Sequence, residues 1–195
     1  MPKISTVCVY CGSSFGRDPR YREEIVRLGR LLAQRKLGLI YGGGGVGLMG
    51  TLAEAALGAG GEVIGIIPDF LKRAERQLKG LTRLEVVTGM HERKSRMFEL
   101  ADAFLAMPGG FGTLDETIEV LTWKQLGLHD KPIVLVDFDG FWRPLIATLE
   151  HAIEQKFAHG RALEMLRVVP DVEAAIAYLS RAKAPAGASA ASEKL

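Results

Sequence analysis

The sequence predicts a Rossmann-like three-layer α/β domain: a mostly parallel central sheet of about seven strands with helices on both faces. Two observations predict it. Apolar runs of five to seven residues alternate with amphipathic segments from one end of the chain to the other, the pattern of a parallel sheet covered on both sides. Glycine clusters follow several of the apolar runs, where such sheets turn tightly into a helix. The 195 residues are 48% hydrophobic, enough for one compact core.

The elements follow in order. Ser5 to Tyr10 (STVCVY) reads as the first strand. Asp18 is a candidate cap for a helix to about Lys36, with Ile25, Leu28, Leu31 and Leu32 on its apolar face. Leu37 to Tyr41 is the second strand, and a glycine cluster leads into a helix from about Leu48 to Leu57 that stops at Gly58 and Gly60. Glu62 to Pro68 is the third strand; residues 69–80 are polar and read as a short helix or loop. Arg83 to Thr88 is the fourth strand, followed by Gly89 and a helix to about Leu100.

Ala103 to Met107 (AFLAM) is the fifth strand, with a helix after it carrying Leu114, Ile118, Leu121 and Leu126 at roughly helical spacing. Pro132 to Asp137 is the sixth strand, and a long helix runs from about Trp142 to Phe157. Leu166 to Pro170 reads as a short seventh strand, and Asp171 caps a closing helix. Residues 1–182 thus read as a single Rossmann-like domain, and residues 183–195 (KAPAGASAASEKL) are expected to be a disordered tail, without apolar periodicity.

Composition narrows the function. A net charge of +2 does not argue for nucleic acid. No apolar run approaches the ~20 residues needed to span a bilayer, and the N-terminus shows no secretory cleavage pattern, so the expected location is cytoplasmic. Cys8 and Cys11 form a CxxC, but a redox pair should open a helix and Cys8 falls inside a strand. The four histidines, His91, His129, His151 and His159, make no triad or metal pattern and read mostly as surface residues. No metal or other cofactor is implied.

The nine residues PGGFGTLDE, Pro108 to Glu116, carry the chemistry. A buried strand ends, three glycines turn the backbone, and a helix begins. Its first N–H groups have no helical partner and sit at the positive end of the dipole, a geometry that suits phosphate. Glu116 lies close behind, so an acid neighbours whatever the phosphate carries. Acids also stabilise helix starts, and Glu116 gains meaning only from the glycines before it.

Other loops at the same sheet edge hold unusual residues. Gly12 and Ser13 follow the first strand, and Gly43 and Gly44 stand in YGGGGVGLMG after the second; both loops are further candidate phosphate or nucleotide contacts. The second loop contains GxGxxG twice, yet it follows the second strand and Glu62 begins its strand rather than ending it, so a dinucleotide fingerprint is disfavoured. Tight turn with close packing is the plain reading. In MHERKSRM, Arg93 and Lys94 oppose the dipole of their own helix start. Either they form a solvated basic turn paired with Glu92 or Glu99, or an anion reverses the penalty; the shared rim favours function for Arg93.

With these residues in hand, the chain resembles the LONELY GUY family of cytokinin-activating phosphoribohydrolases, often mislabelled lysine decarboxylases. PGGxGTxxE is matched by Pro108 to Glu116, and the preceding Arg-Lys pair by Arg93 and Lys94. The likeness spans about residues 4–180. It implies hydrolysis of the N-glycosidic bond of adenosine-type 5′-monophosphates to free base and ribose 5-phosphate, with no cofactor, in a homodimer with sites near the subunit interface. It implies Glu116 and Arg93 as the catalytic pair. Substrate contacts would come from Lys94, Gly110, Phe111, Gly112, Thr113, Leu114 and Asp115, together with Glu75 and Thr122. Phe111 and Asp115 stand where the family motif often has Tyr and Glu. A non-catalytic nucleotide-binding module on the same fold is the alternative.

Overall fold

The computed structural model describes residues 3–184. Most of the expected tail, residues 185–195, lies outside the described residues; Lys183, at its start, pairs with Lys3 in an isolated antiparallel bridge. Seven strands form one sheet: β1 (Thr6–Tyr10), β2 (Gly38–Tyr41), β3 (Val63–Pro68), β4 (Arg83–Val87), β5 (Ala103–Ala106), β6 (Ile133–Val136) and β7 (Leu166–Val169). Their order is β4-β3-β2-β1-β5-β6-β7, and every pairing is parallel.

The helices are α1 (Arg20–Gln34), α2 (Gly47–Gly58), α3 (Leu71–Ala74), α4 (Met90–Leu100), α5 (Phe111–Gln125), α6 (Arg143–Glu154) and α7 (Val172–Arg181). Successive strand residues point to opposite faces, and this alternation divides the core in two. Val7, Val9, Leu39 and Leu105 pack with Ile25 and Leu28 of α1, Leu52 of α2 and Ile176 of α7. Cys8, Tyr10, Ile40 and Phe104 pack with Met97 and Phe98 of α4 and Leu121 of α5. No helix among the described residues is long and apolar enough to cross a membrane.

Three local readings change. The α1 start shifts past Asp18: Pro19, which suits a helix start because it has no N–H to satisfy, takes the cap position, and Asp18 Oδ1 instead accepts the Arg20 N–H at 2.9 Å. Asp171 does cap α7, accepting the Ala174 N–H at 2.8 Å. His129 is buried rather than at the surface, its ring edge-on to Phe98 and Phe104. Its Nε2–H donates to Val120 O at 2.8 Å and its Nδ1 accepts the Lys131 N–H, and burial pushes its pKa down to about 4. Trp142 is fully buried but stands just before α6 rather than in it.

The CxxC also resolves. Cys8 and Cys11 are both free and buried, and they belong to opposite faces of the sheet. Residues three apart on an extended chain point apart, so no disulfide can close between them without breaking the strand end.

Candidate active site

Strand order reverses beside β1. The chain passes from β1 to β2 on one side, and β5 later lands on the other. At such a point the loops leaving the two strands diverge and open a crevice at their carboxyl ends. Here the loops are pinned together: the Gly12 N–H donates to Pro108 O at 3.1 Å. The Gly12 carbonyl in turn accepts the N–H groups of Leu48 and Met49 at 3.0 and 3.2 Å. Two of the first donors of α2, at Leu48 and Met49, are therefore spent inside the protein.

The start of α5 is different. Gly110 precedes it in extended conformation, without a side-chain cap, and its carbonyl accepts the Leu114 N–H at 3.0 Å. Among the described residues, the N–H groups of Phe111, Gly112 and Thr113 donate to no protein acceptor. Three unspent donors at the positive end of a 15-residue helix form an anion site. Gly109 fixes its shape, since a Cβ there would run into the buried Thr113 side chain, whose own Cβ would be 2.7 Å away.

These donors border a cleft of about 130 Å³ whose charged lining is Glu75, Arg93 and Glu116, with Cys11, Ser13 and Met49 also on it. A second cleft of about 260 Å³ adjoins it, sharing Ser13 and Gly110 and lined by Phe15, Tyr21 and Phe141. Together they fall within the size range of small-molecule sites.

Arg93 is buried to 5% exposure, and protein acceptors hold most of its fork. Nε donates to Ile66 O at 3.2 Å; Nη2 donates to Gly42 O at 2.8 Å and to Glu75 Oε2 at 3.3 Å. Nη1 has only the Met90 sulfur at 3.8 Å. Arg93 is thus a fixed positive charge bonded to Glu75 and lining the same cleft as Glu116. The glycine cluster after β2 makes this arrangement possible. A side chain at Gly42 would overlap the Arg93 guanidinium, and a Cβ at Gly44 would lie 3.0 Å from Glu75 Oε2. Gly43, at φ +76°, packs against Ile66 and Ile67.

Glu116 is half-buried in the cleft. Burial pushes its carboxyl up to about 7; Arg93 and Lys94 pull it down, while Asp115 and Glu75 push it further up. Glu75 is raised by burial and lowered by its bond to Arg93. Two carboxyl groups and one guanidinium therefore line one cleft next to three unspent helix-start donors.

Other expected contacts stand elsewhere. Lys94 pairs with Asp115 at 3.2 Å and Glu119 at 2.8 Å, tying α4 to α5 beside the cleft. Leu114 packs into the core. Phe111 lines the cleft and is 91% exposed. Thr122 is exposed on α5, its hydroxyl bonded to Ile118 O, and does not line the cleft within one chain. Cys11 and Met49, which the sequence did not single out as site residues, do line it; Cys11 directly follows the first strand, next to Gly12, and that position was the available signal.

The fold and this cleft define a Rossmann-like α/β protein with an anion-and-acid site at the switch point of its sheet. A family model described as "Possible lysine decarboxylase" matches residues 49–179. A cytokinin riboside 5′-monophosphate phosphoribohydrolase from Rhodococcoides fascians is 48% identical over 179 residues, covering 91% of this chain and 90% of that one. An Arabidopsis thaliana protein of the same name is 39% identical over 91% of this chain and 82% of its own. The chain belongs to this family, the LONELY GUY family. Among solved structures, the molybdenum cofactor binding protein of Rippkaea orientalis superposes with a TM-score of 0.69 at 23% identity, covering 92% of this chain and 96% of that one, a likeness of fold.

The decarboxylase description would call for a lysine to anchor pyridoxal phosphate. None of the residues lining the cleft is a lysine. The buried Lys131 donates to Phe98 O at 2.6 Å just before β6 begins, at the amino end of the sheet and away from the cleft. The residues present do not fit that cofactor.

Proposed function

We propose that the chain hydrolyses the N-glycosidic bond of adenosine-type 5′-monophosphates, including cytokinin riboside 5′-monophosphates, releasing the free base and ribose 5-phosphate. The observation that supports this most is the adjacency of three unspent helix-start donors, at Phe111 to Thr113, to the half-buried acid Glu116. The donors take the 5′-phosphate, and that binding orients the sugar over the acid.

As the bond from C1′ to the base nitrogen breaks, its electron pair leaves with the base and positive charge develops on the sugar. A carboxylate at residue 116 stabilises that charge. Water then adds its oxygen to C1′, giving up one proton, and the departing base gains one. Arg93, bonded to Glu75, holds ribose or phosphate oxygens and fixes the substrate's approach.

The reading extends to plain AMP as substrate, to a homodimer, and to a cytoplasmic setting. In that homodimer the reading assigns Thr122, exposed on α5, to the substrate of the second copy rather than to that of its own chain.

The test is direct. Purified protein is incubated with AMP, isopentenyladenosine monophosphate, adenosine and GMP, and free base is quantified. Adenine-type monophosphates should be cleaved and adenosine should not. Adenosine cleaved as fast as AMP would refute the role of the phosphate cradle.

A further inference from the structure

The connection from β3 to β4 borders the catalytic cleft, to which it contributes Glu75, and very little packs it down. Not one of residues 69–80 is buried, and the single turn of α3 within them has no buried face. Of these residues Leu78 alone packs against a core cluster, and it is half-buried.

Backbone bonds to the glycine loop after β2 hold the segment instead. The Gly45 N–H donates to Glu75 O at 2.8 Å and to Arg76 O at 3.0 Å, and the Leu78 N–H donates to Gly43 O at 3.3 Å. Gly44 and Gln77 form an isolated antiparallel bridge. The loop meets the segment without side chains, since a Cβ at Gly45 would run into the Arg76 carbonyl. Arg76 itself sits at φ +46°, a conformation that a non-glycine residue keeps only where its surroundings impose it.

One side-chain bond fastens the segment to the cleft. Arg93 Nη2 donates to Glu75 Oε2 at 3.3 Å, long for a charged pair. At one end the Asp69 N–H is still anchored to Val87 O at 3.0 Å. At the other end Gly80 stands at φ +81° in open space, a swivel that needs no repacking. A segment with few buried apolar contacts, held by exposed backbone bonds, opens at low cost.

We infer that residues 69–80 form a lid on the catalytic cleft, hinged after Asp69 and at Gly80, latched by Glu75 on Arg93 and held shut by a bound phosphoribosyl ligand. The identity of that ligand rests on the phosphoribohydrolase reading. With the lid shut, Arg93 has its charged partner and its fixed seat; with the lid open it loses that partner. A ligand that engages Arg93 in this seat binds the shut state better and so holds the lid down. Entry of substrate and exit of base then wait on the lid.

Trypsin reads the lid directly, because Lys72, Arg73, Arg76 and Lys79 all lie on it. A protease needs its target segment extended and free, so cutting follows the open population. The unaltered protein is treated with trypsin in the presence and absence of saturating ribose 5-phosphate, and the cuts are mapped by mass spectrometry. Lys156 and Arg161, exposed in the loop after α6, are the internal control. Ribose 5-phosphate should slow cutting on the lid about tenfold or more, within the ordinary range of coupling between a ligand and a two-state element, and leave the control loop unchanged. Glu75→Gln keeps the shape of the latch and removes its charge. Without ligand it should speed cutting on the lid about fivefold and again spare the control.

Equal slowing of lid and control would mean stabilisation of the whole chain and would overturn the proposal. So would bound ribose 5-phosphate that left cutting on the lid unchanged, or a Glu75→Gln variant cut there no faster than the unaltered protein. If ribose 5-phosphate neither raised the melting temperature nor slowed any cut, the phosphoribosyl reading of the cleft would fail instead, and the Glu75→Gln comparison would still decide the lid.

Discussion

Gly42 and Arg93, on separate elements 51 residues apart, occupy one small volume: the Gly42 carbonyl accepts Nη2 at 2.8 Å, and the guanidinium fills the space a side chain at Gly42 would need. The glycine is part of the site through what it lacks. Gly42→Ala should push Arg93 from its socket, separate it from Glu75, and lower kcat/KM at least 100-fold. Overpacking of this kind costs about 1–3 kcal/mol of stability. Turnover assays with a urea melt check both, and a variant with near-normal turnover would show that Arg93 need not be fixed.

Glu116 links activity to pH. Burial holds its carboxyl near 7, above the ordinary range of about 4.3 for glutamate. Turnover that needs the carboxylate should fall about tenfold per unit below pH 7 and level off above it. Stability should move the other way. Between about pH 4.5 and 7 the folded chain holds a proton that the unfolded chain has lost, so raising the pH through that window weakens the fold. Glu116→Gln should abolish base release and also raise the melting temperature at pH 8, by a margin that shrinks toward pH 4. The gain is of order 1–3 kcal/mol. Melting curves at pH 4, 6 and 8 read it; an equal effect at all three would assign the gain to packing instead of charge.

The sequence revealed much of this site and hid the rest for physical reasons. The strands were legible because a parallel sheet covered on both faces needs short, nearly continuous apolar runs, and the α5 cradle because Pro108 to Glu116 holds strand end, turn, helix start and acid in nine adjacent residues. The socket was not, since Gly42 and Gly44 acquire their role from Arg93 and Glu75 across the fold. Glu75 sits in a polar stretch with no periodicity and drew notice only through family resemblance. His129 lies in a charged loop, and only its packing on Phe98 and Phe104 explains its burial.

The cysteines give a prediction about chemistry that should not happen. Burial pushes both thiols up, and Glu116 pushes them further, so neither presents a reactive thiolate near neutral pH. Cys11 lines the cleft all the same. Oxidant should leave turnover unchanged over minutes and form no internal disulfide. An alkylating reagent should label both thiols quickly only in denaturant. Fast labelling of Cys11 in the folded protein, with loss of activity, would show that the cleft opens more than this structure does.

The cradle can be tested without turnover. If the three α5 donors are the phosphate site, ribose 5-phosphate alone should bind and stabilise the folded chain. At a concentration about 100 times its Kd, the gain is about 2.7 kcal/mol, or roughly 5–10 °C in Tm for a domain of this size. Ribose, lacking the anion, should give almost no shift at the same concentration. Gly109→Ala would press on Thr113 and tilt the first turn of α5, so it should weaken the shift from ribose 5-phosphate by at least half. Because the donors are backbone groups, no single side-chain deletion on Phe111 should remove it. A shift that survived Gly109→Ala but vanished with Phe111→Ala would mean that the ligand is held by the exposed ring and that the helix start is not the phosphate site.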